Sequence, residues 1–373
     1  MRYRLAVAAF VALLLAAPAL VAQTARAVTP AVKPAISAKP WPDDDVLLAR
    51  RTEAEQRKLF QDGAPLEFTL TSEFGLINAE RTPNNGRQFP GVLTVGGIDV
   101  PVTLGSRGHL RLKSQTCDFV PIKVAFSGEP VAGSAFEGQT TLKLGTHCRS
   151  DRDADQYVMR EYLSYTLANL VTPLSFRARL ARGTYVDAKS KKKLSTHSAL
   201  FLEHENDVAR RLGGRDVKQP HMGFSELDKN ALTTMMLLEY MLGNTDYSIW
   251  TLHNVVIIQD KRRRFFPVPY DFDLSGMVHP PYAAPDPRLS LKSVTDRLYR
   301  GPCRTVEEFN AAAEPFRAHH ADMMSTIDSV ADLDVVHKRE MKDYLESFFR
   351  RIATPESIKK TFVDGCPASR ARI

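Results

Sequence analysis

Among the side chains of residues 239–276 that can offer hard oxygen atoms are Asn244, Asp246, Asn254, Asp271 and Asp273. Asn254 opens a β-rich run, Val255 to Ile258. A turn at Asp260-Lys261 and a returning run from Arg264 to Val268 then lead to Asp271 and Asp273. Two such runs around a polar turn predict a β-hairpin. The hairpin would bring Asp246 close to Asp271 as it leaves the second strand, with Asn254 between them. Carboxylates and an amide oxygen suit Mg²⁺ or Mn²⁺, and one acid remains to orient or deprotonate a hydroxyl. That is equipment for phosphoryl transfer. Asp246 is the candidate catalytic acid or base, Asn254 and Asp271 the candidate metal ligands, and Asp273 a second ligand or its support. Asp and Asn also occur in hairpins simply as turn formers. NxD, HN and DxD around one hairpin, with Phe265, Phe266, Pro267, Pro269 and Tyr270 packing its exit, exceed what turns need.

Other elements must position this hairpin. Residues 225–243 have a polar start, a Met/Leu-rich body and a terminal Gly243, which predicts a core helix presenting Asn244 and Asp246 at its exit. Upstream, residues 66–149 alternate apolar and polar in runs such as LEFTLTS, GVLTVGG, VPVTLG, HLRLKS, IKVAFS and TTLKLG, and predict a twisted antiparallel sheet. Residues 47–60 and 155–171 read as amphipathic helices, 173–187 as a hairpin strand and 197–203 as a short buried strand. Residues 305–329 and 334–352 read as two further helices. The fold class is α+β.

The ends of the chain bear on location. Arg2 and Arg4, an apolar core over 5–21 and Ala25-Arg26-Ala27 read as a cleavable secretory signal over 1–27, implying a periplasmic or secreted protein. Residues 28–45 are Ala/Pro/Lys-rich and read as a linker. No later stretch holds 18 uninterrupted apolar residues, so no stable membrane span is expected after cleavage. Losing Arg2, Arg4 and Arg26 lowers the formal charge from +7 to +4. Mild basicity without an aromatic-basic ladder speaks against nucleic-acid binding. Four cysteines allow three pairings. Proximity favours Cys117 with Cys148 and Cys303 with Cys366, each stabilising by about 3–4 kcal/mol.

The NxD segment, the Asn-bearing strand and the strand end Val268-Pro269-Tyr270-Asp271-Phe272-Asp273 resemble the kinase-like family of the spore-coat protein CotH. Ser106-Arg107-Gly108, Thr141-Leu142-Lys143-Leu144 and Leu200-Phe201-Leu202-Glu203 extend the resemblance over roughly residues 100–280. His109 stands where the family's RGN segment has Asn, and the HRD and GxGxxG motifs of protein kinases are missing.

The resemblance implies a two-lobed protein-kinase-like fold, with a β-rich N-terminal lobe over 46–200 and a mainly helical C-terminal lobe over 201–373. It implies ATP and Mg²⁺ or Mn²⁺ as cofactors, and a protein hydroxyl in the cell envelope or outside the cell as acceptor. By kinase analogy Lys143, with Lys123 as the competing choice, would bind nucleotide phosphates and Glu161 would orient it. The segment around Glu203 would be the hinge whose main chain meets adenine. A catalytically silent pseudokinase, an envelope-binding protein and a metal-dependent hydrolase remain as alternatives.

Overall fold

The computed structural model describes residues 40–82, 86–127 and 132–366. The signal reading of 1–27 and most of the linker reading fall outside these residues. The architecture is α+β: an N-terminal β-barrel with helices, followed by a mainly helical region.

After helix α1 (Asp44–Glu55), seven strands close a barrel: β1 (Leu66–Ser72), β2 (Phe89–Val95), β3 (Ile98–Ser106), β4 (Ile122–Phe126), β5 (Thr141–Gly145), β6 (Ala178–Asp187) and β7 (Lys193–Leu202). The order around it is β1-β2-β3-β4-β5-β7-β6. Closure comes from a parallel pairing of β1 with β6, Leu66 opposite Ala181 through Ser72 opposite Asp187. The sheet is therefore closed rather than open and includes one parallel pair, because pairing the two edges removes their exposed N–H and C=O groups. The segment HLRLKS, expected as a strand, is instead a tight 3₁₀ turn at Leu110–Leu112. Leu110 and Leu112 satisfy an alternating pattern, but three residues in a turn leave Arg111 a different direction from that of a ladder position.

Alternation along β7 divides two cores. Ala199 and Phe201 face the barrel interior with Phe68, Phe136 and Tyr185, whereas Leu200 and Leu202 face helix α3 (Ala154–Val171) and the helical region. β7 runs to Leu202, across the expected 200/201 boundary, and is the strand shared by both cores.

Beyond α4 (Glu205–Arg211), β8 (Gly214–Asp216), β9 (Val255–Asp260) and β10 (Phe265–Pro269) form a second, three-stranded sheet. Helix α5 (Lys229–Leu242) is capped by the Asp228 carboxylate, which accepts from Asn230 and Ala231 at 3.1 and 3.0 Å. Such a cap contributes about 1 kcal/mol. Gly243 closes the helix at φ 64°, where an added Cβ would also collide with the Tyr344 hydroxyl.

The expected single helix over 305–329 is two, α6 (Val306–Ala318) and α7 (His320–Ser329), broken at His319. α8 (Val335–Ile352) and α9 (Pro355–Ile358) complete the region. Disulfides join Cys117 to Cys148 and Cys303 to Cys366, as proximity suggests, and both fit an oxidising compartment. Among the described residues no helix is long and apolar enough to cross a membrane.

Candidate active site

The β9–β10 hairpin forms in the anticipated register, with Val255 opposite Pro269. One residue beyond that pair, the Tyr270 N–H donates to the Asn254 carbonyl at 3.0 Å. Asn254 and Asp271 are thereby held at one mouth of the hairpin, both at positive φ (54° and 65°). Asn and Asp tolerate this conformation better than most residues. The Asp271 N–H donates to the Tyr165 hydroxyl at 2.8 Å, tying the strand end to α3. Phe272 is buried against Tyr165, and its neighbours Asp271 and Asp273 are left lining the cleft.

Asp246 reaches the same mouth from the end of α5. The Asn244 carboxamide oxygen accepts from the Asp246 N–H at 3.0 Å, forming a local turn. Arg300 donates to the Thr245 and Tyr247 carbonyls at 2.6 and 2.9 Å. Asn254 Nδ2 donates to the Asp246 carbonyl at 2.7 Å and to its carboxylate at 3.3 Å, leaving Asn254 Oδ1 as the amide's remaining acceptor. His253 Nε2 lies 3.1 Å from the other carboxylate oxygen; this hydrogen bond raises the imidazole above its ordinary value, against the effect of burial.

These residues line a cleft of about 560 Å³ together with Arg107, Arg111, Lys143 and Tyr270. Acids and cations therefore share one chamber. Arg111 donates to the Thr146 carbonyl at 2.5 Å and stands 3.8 Å from Asp273. The buried Nε atoms of Arg107 and Arg111 have no hydrogen-bond partner. Burial, then the neighbouring Asp273 and Asp271, pushes the Glu161 carboxyl well above its usual range, and burial with Asp271 does the same to Asp273. Burial and crowding thus favour the protonated, neutral forms of these two acids, a preference that a cation in the cleft would reverse.

The expected partnership of Lys143 with Glu161 is replaced by another. Lys143 Nζ lies 2.7 Å from Glu205 and 3.9 Å from the Tyr270 ring centre. β5 runs beside β7, whose end leads directly into Glu205, while Glu161 on α3 sits behind Asp273 with Arg111 and Tyr282 around a small cavity. Burial alone would raise Glu205, but Lys143 outweighs it and holds the carboxyl down to about 2, while burial lowers the Lys143 ammonium against the pull of Glu205. Lys123, opposite Lys143 on β4, is exposed on the strand.

Glu203, in the expected hinge segment, uses its side chain internally. It is buried, its carboxylate accepts from Arg177 and Arg211 at 2.7–3.0 Å, and its N–H donates to the Arg177 carbonyl. Its side chain is a structural tie between β6, β7 and α4. Arg111 and Glu205 are the site residues that sequence reasoning missed. Only the four-residue step from Arg107 to Arg111 and the acidic start of α4 hinted at them.

No protein-family model matches the chain, and no curated protein does. Among solved structures it is similar to the crystal structure of a Helicobacter pylori proinflammatory kinase, CtkA, at 12% identity, over 65% of this chain and 92% of that one, with a TM-score of 0.35. That likeness is distant. What the cleft can do follows from its own geometry.

Among the described residues no group of three or more His, Cys, Asp or Glu side chains is arranged to hold a metal ion alone. Asn254 and Asp271, with Asp273 drawn toward Arg111, make a sparser donor set. Sparse protein ligation fits Mg²⁺ delivered with phosphate, because that ion keeps waters and substrate oxygens and commonly takes only one or two carboxylates.

The Lys143–Glu205 pairing has a direct test. A double-mutant cycle of Lys143→Met with Glu205→Gln, read by urea denaturation, should give a coupling of about 1–2 kcal/mol, and the same cycle with Glu161→Gln a smaller one. Equal couplings would remove the assignment.

Proposed function

We propose that this protein is an exported, kinase-like phosphotransferase that moves the γ-phosphoryl group of ATP, with Mg²⁺ or Mn²⁺, to the hydroxyl of a protein acceptor. The observation that carries the reading is the meeting of Asp246, Asn254 and Asp271 in one cleft facing Arg107, Arg111 and Lys143. An acid-only cleft would repel a nucleotide, and a cation-only one would lack a base and metal ligands.

Asn254 Oδ1 and Asp271 would hold the ion, with Asp273 and Glu161 behind them. When bound, the ion would neutralise phosphate charge. Arg107, Arg111 and Lys143, which line the same cleft, would hold the phosphates. Asp246 would take the acceptor's proton as its oxygen bonds to the γ-phosphorus and the bond to the β-phosphate oxygen breaks.

Thermal unfolding of the oxidised protein with and without ATP and Mn²⁺ tests this. At about 100 times Kd, one-site binding adds about 2.7 kcal/mol of apparent stability. Asp271→Asn should abolish the shift. A wild type unmoved by several nucleotides with either metal would overturn the proposal in favour of a non-catalytic envelope protein. Phosphate release without a labelled acceptor would replace it with a hydrolase.

A further inference from the structure

A second chamber of about 600 Å³ lies in the helical region, between the end of α8, Tyr240 of α5, the Arg297–Tyr299 segment and the π-helical turn Lys359–Val363. Among the described residues its wall carries four cations, Arg297, Arg350, Arg351 and Lys360, and no Asp or Glu. This contrasts with the candidate active site, where acids and cations are mixed.

The four cations differ in how they are held. Arg297 is fixed: its guanidinium donates to the Met241 and Tyr344 carbonyls and the Ser347 hydroxyl, and stacks 3.5 Å from the Tyr344 ring centre. Arg350, Arg351 and Lys360 are exposed and make no ion pair with any described residue. The neighbouring Lys342 and Lys359 are paired, with Asp328 and Asp364. Burial first, and then Arg351 and Arg350, lowers Arg297, as expected where like charges meet without a counter-ion.

Cations in the last turn of a helix also complement its dipole. That accounts for Arg350 and Arg351 at the end of α8. It does not account for Lys360, on a different element, nor for a concave wall free of acids. The Cys303–Cys366 disulfide pins one side, since Cys366 itself lines the chamber, and Phe362 anchors the floor against Phe309.

We propose that this chamber is an anion site, separate from the nucleotide cleft, that takes a phosphate-bearing ligand, either a free phosphorylated molecule or the headgroup of an acidic phospholipid. Guanidinium groups match phosphate oxygens in pairs. A fixed arginine with three unpaired cations around it suits a ligand carrying two or more negative charges.

The test uses the oxidised full chain without divalent metal and compares it with Arg350→Ser/Arg351→Ser/Lys360→Ser, three exposed changes that should lower thermal stability only slightly and leave the fold intact. Pyrophosphate titrated calorimetrically, and sedimentation with phosphatidylglycerol vesicles against phosphatidylcholine vesicles, are the two probes. The proposal expects at least a tenfold loss of affinity in the variant for the probe that binds. Pyrophosphate binding alone identifies a free ligand, and binding of acidic vesicles that pyrophosphate displaces identifies a headgroup. Binding equal in wild type and variant, or none of either probe at low ionic strength, overturns the proposal.

Discussion

Asp246→Ala should slow phosphoryl transfer by about 10² to 10⁴, the usual contribution of a positioned general base, while nucleotide–metal affinity stays within a few-fold of wild type. The carboxylate is about two-fifths exposed, so removing it leaves no buried cavity. Its loop is held from several sides independently of that carboxylate. Gly243 ends α5, Asn244 accepts from the Asp246 N–H, Arg300 donates to the carbonyls on either side, and Asn254 donates to the Asp246 carbonyl. The backbone should therefore stay in place and the loss fall on chemistry. Single-turnover transfer of labelled γ-phosphate and equilibrium nucleotide binding separate the two. Lost binding would make Asp246 a ligand instead, and an unchanged transfer rate would mean that another group takes the proton.

Replacing Glu239 by Gln should stabilise the protein at alkaline pH by about 3–5 kcal/mol and change little at pH 4.5. Glu239 lies on α5 one turn before Gly243, buried beside the Asn244 carboxamide, with no hydrogen bond of good geometry to either carboxyl oxygen. The Asn244 contact lowers the carboxyl, but less than burial raises it. Burial pushes the carboxyl up to about 8, from an ordinary value of 4.5. The folded state thus holds a proton that the unfolded state releases between those two values. Stability associated with Glu239 is fully present below pH 4.5, falls as pH rises and is lost through pH 8. Gln carries no such charge and keeps the shape. Urea midpoints at pH 5, 7 and 9 should diverge steadily between wild type and variant. Parallel profiles would show that Glu239 finds a partner when ionised.

Much of this molecule is written in short-range pattern. A β-branched run and an aromatic run around Asp260-Lys261 specify the hairpin, since successive side chains face opposite sides and the turn sets the register. A Met/Leu-rich stretch between Asp228 and Gly243 specifies α5 and the point where its loop leaves. Those two elements suffice to bring Asp246, Asn254 and Asp271 together, so the acidic half of the site was legible in the chain.

The cationic half was not, for a physical reason. Which carboxylate meets Lys143 depends on β5 lying beside β7, and Arg111 reaches Asp273 only because Leu110–Leu112 turns instead of extending. Barrel closure by β1 and β6 joins residues more than a hundred positions apart, and no local periodicity encodes the partner of a strand edge. Glu203 illustrates the same limit: its neighbours in sequence gave no sign of Arg177 and Arg211, which converge on its carboxylate in space. Side-chain alternation and turn chemistry act over a few residues, so the sequence alone specified the elements and the residues at their ends. The pairing of charges across the cleft, and the acid-free chamber beside the second disulfide, depend on which distant surfaces pack together, and only the tertiary structure decided them.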